Sequence, residues 1–183
     1  LYFKNIFSKS NILVDQIICS SYVKSINYKD NLKLSGYTSF IDIGFNKTSV
    51  ISYQDDKILF LDILPVGGNH ITKDISKVLN LDLERSEQEK RNFDQSLKLP
   101  NYKNISIDIL QKIIFSRTEE ILELCIKSLE SNLKISGKFK MVLTGEGSKI
   151  LDNQHKDEIS FSKNINFLEE TLEDICQCGS KFI

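Results

Sequence analysis

The 183-residue chain carries a net charge of −1, with 27% charged and 40% hydrophobic residues. That length suits one ordinary domain, or one with a small insertion, able to bury about two-thirds of its unfolded surface. Near-neutrality excludes the one-sided basic footprint of a nucleic-acid binder, and no apolar run approaches the roughly 18 residues of a membrane span.

NILVDQIIC (11–19) is predicted as a buried strand and SSYVKSINY (20–28) as the helix after it, followed by a polar loop over 28–36. TSFIDIG, TSVISYQ and KILFLDILPV are three β-branched or aromatic runs separated by GFNK and DDK, which predicts an antiparallel meander. After Gly67-Gly68 the period changes: Ile71, Ile75, Val78 and Leu79 mark an amphipathic helix, with Asn69 expected to cap its start and Asn80 to end it. A charged helix is expected from Asp82 through RSEQEKRNF, then a loop over 94–104. Ser106 opens the longest helical segment, whose apolar stripe is interrupted at SRTEE (116–120). KFKMVLTG (138–145) returns as a strand, EGSKILDNQ starts a helix, and the tail holds a strand (NINF) and a last helix (LEETLEDICQ). The order is mixed α/β. The chain has no alanine, which depresses helix propensity throughout.

No secretory leader is read at the start, and Cys19, Cys125, Cys176 and Cys178 are read as reduced thiols. Cys176-x-Cys178 lacks a second ligand pair, because His70 and His155 lie far off in sequence.

Four constellations suit the chemistry of a nucleotide. Asp42-x-Gly44 places a carboxylate at a strand end beside a glycine, fit for phosphate and Mg²⁺-bound water, or it is only a hairpin tip. Gly67-Gly68 before a helix would aim free amides at an anion, or merely reverse the chain. Glu87-x-x-Lys90 shares one helical face, where the two would bond sugar hydroxyls, or form a solvated ion pair. VLTGEGSKI (142–150) is a glycine-broken turn that admits a base or phosphate, but it lacks the Walker and dinucleotide fingerprints.

In that order and spacing, residues 11–152 resemble the bacterial cell-division family FtsA, within the actin and Hsp70 ATPase superfamily. LVDQII leads into a helix. IDIGFNKTSVISYQDDKI is similar to the family's second phosphate loop, and LPVGGNHITKDIS to its G-G-N-x-x-T-x-D-I helix start. LERSEQEK resembles its ribose motif and VLTGEGSKI its adenosine loop. The resemblance implies a ribonuclease H-like, actin-like half: a mixed sheet flanked by helices. Residues 1–80 and 117–183 would form the subdomain IIA core, and 81–116 a shortened IIB insertion. It implies ATP and Mg²⁺ as ligands, with Asp42 and Gly44 facing metal and phosphate beside Lys47 and Thr48. Gly67, Gly68 and Asn69 would line the cleft, Glu87 and Lys90 hold the ribose, and Gly145, Glu146 and Gly147 border the base. Arg117 and Glu120 match the helix that helps receive the C-terminal tail of FtsZ.

Family function would make the protein a filament-forming adaptor at the cytoplasmic face of the inner membrane. It would bind FtsZ, its own copies and other division proteins, reaching the membrane only through a segment outside this chain. Ser49 stands where many relatives carry a second acid, Phe45 and Asn46 replace glycines, and Glu146 replaces another. Those departures weaken hydrolysis more than binding, so at most a weak ATPase is expected, and none from this stretch alone. The alternatives are a nucleotide-free scaffold of the same fold, a PilM-type pilus-assembly component, or an unrelated mixed α/β binding domain.

Overall fold

A computed structural model describes residues 2–31, 36–93, 105–133, 140–151 and 165–167. Five strands form one mixed sheet in the order β3-β2-β1-β4-β5. Strands β1 (Tyr37–Ile43), β2 (Thr48–Gln54) and β3 (Lys57–Leu64) make the expected antiparallel meander, while β4 (Lys140–Thr144) and β5 (Ile165–Phe167) add in parallel beyond β1. Asp55, at φ 52°, turns the chain between β2 and β3.

Strands β1 and β2 are buried on both faces along most of their length, and the buried hydroxyls of Ser39 and Ser52 satisfy each other across the ladder at 2.7 Å. Alternate residues divide between two packed layers. Ile41, Ile43, Val50, Met141 and Leu143 meet α3 (Gly68–Leu79) and α5 (Ile107–Asn132) in the larger core, with Ile71, Ile75, Leu110, Ile114 and Leu122. Phe40, Ile51, Tyr53 and Val142 face the other way, against Tyr28 of α2 (Ser20–Asn31). Each fully buried Ile or Leu contributes roughly 1.5–3 kcal/mol, so this pair of layers dominates the stability.

Helix α3 ends as read, with Asn80 in the left-handed region at φ 52° and its N–H on Ser76 O. Asp82 caps α4 (Leu83–Arg91) by accepting from Arg85 N at 2.8 Å, and α4 packs against α3. Helix α5 runs unbroken through SRTEE: Arg117 reaches Asp74 on α3, and Ser128 reaches Asp62 on β3. The interruption of the apolar stripe therefore does not end the helix. The segment after β4 closes as a 3₁₀ turn, Glu146–Leu151. The loop over 94–104 and the last helix lie outside the described residues.

Two expectations fail. Residues 12–19 form no strand, and Ile12, Leu13 and Ile17 are exposed, as are Tyr2, Phe3, Ile6 and Phe7 on the short helix α1 (Tyr2–Ser8). An apolar run becomes a strand only where a neighbour strand takes its hydrogen bonds, and the described sheet ends at β5 and β3 instead. Asn69 does not cap α3 either. The cap position is Gly67, and the Asn69 amide group donates to Asn46 Oδ1 at 2.9 Å.

Candidate functional site

The site is built around the turn between β1 and β2. Gly44 N–H donates to Lys47 O at 2.9 Å and closes the turn, and two carbonyls of that turn then cap α3. Gly68 N–H donates to Gly44 O at 2.9 Å and Asn69 N–H to Phe45 O at 2.7 Å, while Gly67 N–H reaches His70 Nδ1 at 3.2 Å. His70 N–H turns back to Gly67 O at 2.9 Å. The amides read as free for an anion are thus engaged by the protein itself. The approach is close enough to require glycine, since a Cβ at Gly67 would lie 2.5 Å from Gly44 O and 2.9 Å from Lys47 N. Thr48 is fully buried, donating to Val66 O at 2.7 Å, whereas Lys47 is exposed.

Below this junction lies a cavity of about 370 Å³. It brings together six of the expected residues: Gly44, Gly68, Glu87, Lys90, Glu146 and Gly147. Gly147 Cα would stand 3.7 Å from a Cβ on Gly68, so bare backbone walls one side. Lys90, though 7% exposed, is held by three acceptors: Gly68 O at 3.0 Å, Thr72 Oγ1 at 2.7 Å and Glu87 Oε2 at 2.6 Å. Its ammonium also lies 5.9 Å from the Phe45 ring centroid. Glu87 accepts in addition from Thr72 Oγ1, and through Oε1 from Arg91 Nε at 2.8 Å.

Burial pushes the Glu87 carboxyl up, but the hydrogen bonds from Lys90, Thr72 and Arg91 outweigh it and hold it down at about 2. Burial likewise lowers the Lys90 ammonium, with the Glu87 hydrogen bond working against that. The pair read as sugar-binding is therefore a partly buried, mutually satisfied ion pair on the cavity wall. Glu146 is exposed and paired with Lys149 at 2.6 Å, which offsets its charge near the cavity mouth.

Asp42 lies outside the cavity lining, on the sheet face that packs α2. Its Oδ2 accepts from Ser21 Oγ at 2.8 Å and from Lys24 Nζ at 3.3 Å, and Ser21 Oγ lies 3.1 Å from Ser49 Oγ. Both members of the Lys24–Asp42 pair are largely buried, at 11% and 13% side-chain exposure. A Cβ on Gly145, whose φ is +90°, would come within 2.4 Å of Asp42 Oδ1. The donor set does not fit Mg²⁺: one carboxylate already neutralised by an ammonium, two hydroxyls, and no grouping of three His, Cys, Asp or Glu side chains among the described residues.

Arg117 Nε donates to Asp74 Oδ2 at 2.5 Å and Nη1 to Glu120 Oε2 at 2.6 Å, so this arginine ties α5 to α3. The hydrogen bond to Asp74 raises its pKa further. Five cavity residues were not among the expected site residues: Phe45, Arg91, Phe93, Lys149 and Ile150. Two of them had a helical signal, Arg91 four residues after Glu87 and Lys149 three after Glu146. Thr72 stands in the quoted G-G-N-x-x-T-x-D-I motif but was given no role, and Ser21 and Lys24 were missed because only tertiary packing brings them in.

Comparison with known proteins places these features in a family. The model of the family "Cell division protein FtsA" matches residues 39–170. The cell division protein FtsA of Buchnera aphidicola subsp. Schizaphis graminum is 32% identical over 182 residues, covering 86% of this chain and 43% of that protein. The chain thus spans less than half the length of that relative. Among solved structures, MreB5 of Spiroplasma citri bound to ADP superposes with a TM-score of 0.71 at 17% identity, over 99% of this chain and 63% of that one. A PilM-PilN type IV pilus biogenesis complex gives 0.66 at 19% identity, over 90% and 45%. These two likenesses establish an actin-like fold.

Proposed function

Because the chain belongs to the FtsA cell-division family, we propose that it forms the nucleotide-binding half of an actin-like adaptor that links FtsZ to the inner membrane. The observation that supports nucleotide binding most directly is the cavity of about 370 Å³, where Gly68 and Gly147 offer bare backbone. Arg91 and Lys149 bring positive charge to the same wall, against Glu87 and Glu146. A similar fold, that of MreB5, is described as bound to ADP. In this reading the glycines receive the flat base, Glu87 and Lys90 meet the ribose, and the turn at Gly44 borders the phosphates. Residues 1–80 and 117–183 act as the core, with 81–116 as the insertion. The whole protein would work at the cytoplasmic face of the membrane; no described helix is long and apolar enough to cross it.

Calorimetric titration with ATP and with ADP is expected to give saturable binding below millimolar concentration. No heat at millimolar nucleotide overturns the reading in favour of a nucleotide-free scaffold. One observation favours that second reading: the first amides of α3 and the Lys90 ammonium already have protein partners.

The FtsZ dock is tested by pull-down with the C-terminal FtsZ peptide. Arg117→Glu is expected to abolish capture. Asp74→Asn, which loosens the same link between α5 and α3 but keeps the arginine, is expected to retain most of it. Equal loss in both variants would make Arg117 a structural clamp rather than a contact for the tail.

A further inference from the structure

Phe45 stands in the turn between β1 and β2, lines the cavity, and is 54% exposed. The turn itself uses only its main chain, since Phe45 O accepts from Asn69 N at 2.7 Å whatever the side chain. The Lys90 ammonium lies 5.9 Å from the ring centroid, near the outer limit at which a cation and a ring attract. That ammonium already has three acceptors, so the ring is not what holds it. An apolar ring half in water at a cavity wall is surface still open to burial.

The other lining groups narrow down what it meets. The charged ones are matched among themselves, Glu87 by Lys90 and Arg91, and Glu146 by Lys149. Phe93 is 2% exposed and meets the Phe115 ring edge-on at 5.9 Å, so it belongs to the core beneath the cavity. Gly68 and Gly147 leave bare backbone, and a Cβ on Gly68 would stand 3.6 Å from Lys90 Nζ. The same ammonium thus adjoins both the glycine wall and the Phe45 ring. A flat ligand on the glycines that reaches Lys90 comes within range of that ring, and every nucleobase has a face that an aromatic side chain can stack on.

We propose that Phe45 is a ligand contact of this cavity, its ring stacking on the nucleoside part of the bound nucleotide. The proposal rests on the nucleotide reading above and adds to it both a residue and the moiety that residue recognises. Loss of the ring is expected to weaken binding by about tenfold or more, because roughly half a phenyl surface then stays unburied.

The test titrates the full chain with ATP and with adenosine by calorimetry, in the parent and in Phe45→Leu. The variant is expected to lose about tenfold or more for both ligands and by similar factors, because both carry the nucleoside. Binding within about threefold of the parent overturns the proposal and leaves the nucleotide reading intact. A loss confined to ATP, or a parent that binds ATP but not adenosine, puts the ring beside the phosphates and overturns it too. A parent that binds neither ligand at millimolar concentration overturns the nucleotide reading, and this proposal with it.

A second measurement reads the contact itself. The chain has no tryptophan, so Phe45→Trp places a single reporter at the cavity. Its emission is expected to change saturably as adenosine is added, with the midpoint that calorimetry gives for the same variant. Emission that stays constant while calorimetry records binding would mean that no ligand reaches the ring.

Discussion

Gly145→Ala is expected to cost about 3–5 kcal/mol, a large part of the roughly 5–15 kcal/mol that holds an ordinary domain folded. Two penalties add there. The residue sits at φ +90°, and a Cβ would lie 2.4 Å from Asp42 Oδ1 and 2.6 Å from Ile43 O. Backbone cannot yield as a flexible side-chain tip does, so either the turn after β4 or the end of β1 must shift. Gly36→Ala separates the two contributions. Gly36 also has a positive φ, of +78°, but nothing lies within 4 Å of its would-be Cβ. That variant should lose only about 1–2 kcal/mol, from backbone strain alone. Urea denaturation of both variants measures the difference, and equal losses would show that the 145–147 turn does not press on Asp42 and Ile43.

Lys90→Met should lower stability by about 2–3 kcal/mol, less than the ~3–5 kcal/mol for a wholly buried pair because Glu87 keeps 22% of its side chain in solvent. The variant leaves the carboxylate on the cavity wall with only Thr72 and Arg91 as donors. Adding Glu87→Gln should recover part of the loss, because the stranded charge is then gone. Acid titration supplies an independent check. With its carboxyl held at about 2 in the fold against an ordinary 4.5, Glu87 stabilises the protein fully above about pH 4.5. That contribution fades as pH falls toward 2, because the unfolded chain takes up the proton first. In Lys90→Met the carboxyl moves back up, so less stability should be lost across this window. Carboxyl NMR of Glu87 in both proteins reads the shift directly, and an unmoved midpoint would discount the lysine as its main partner. The depressed Lys90 acts on the alkaline side only, where stability rises as pH climbs toward 10.5.

How far the sequence speaks for the fold depends on where each hydrogen bond goes. The meander was legible because β-branched runs, a DDK turn and local antiparallel pairing are close in sequence. The end of α3 was legible for the same reason, since Asn80 needs only its own left-handed conformation. The start of α3 was not, because its caps are carbonyls of Gly44 and Phe45 more than 20 residues earlier. Residues 11–19 show the limit of an apolar pattern, which states a wish to be buried but names no neighbour. At the site, six residues read from short motifs line one cavity. Asp42 was assigned by motif to a metal, yet packing of α2 gave it Lys24 and Ser21 instead.

Helix α5 holds a mechanical consequence. Its 26 residues contain neither glycine nor proline, so the helix is an unhinged rod about 39 Å long. The rod is pinned at Arg117 to α3, whose first turn borders the cavity, and at Ser128 to the edge strand β3. A tilt of one degree about one end displaces the other by about 0.7 Å, close to the slack of a hydrogen bond. Any load taken up at its N-terminal end is therefore delivered along a single lever to the cavity's roof and to the rim of the sheet.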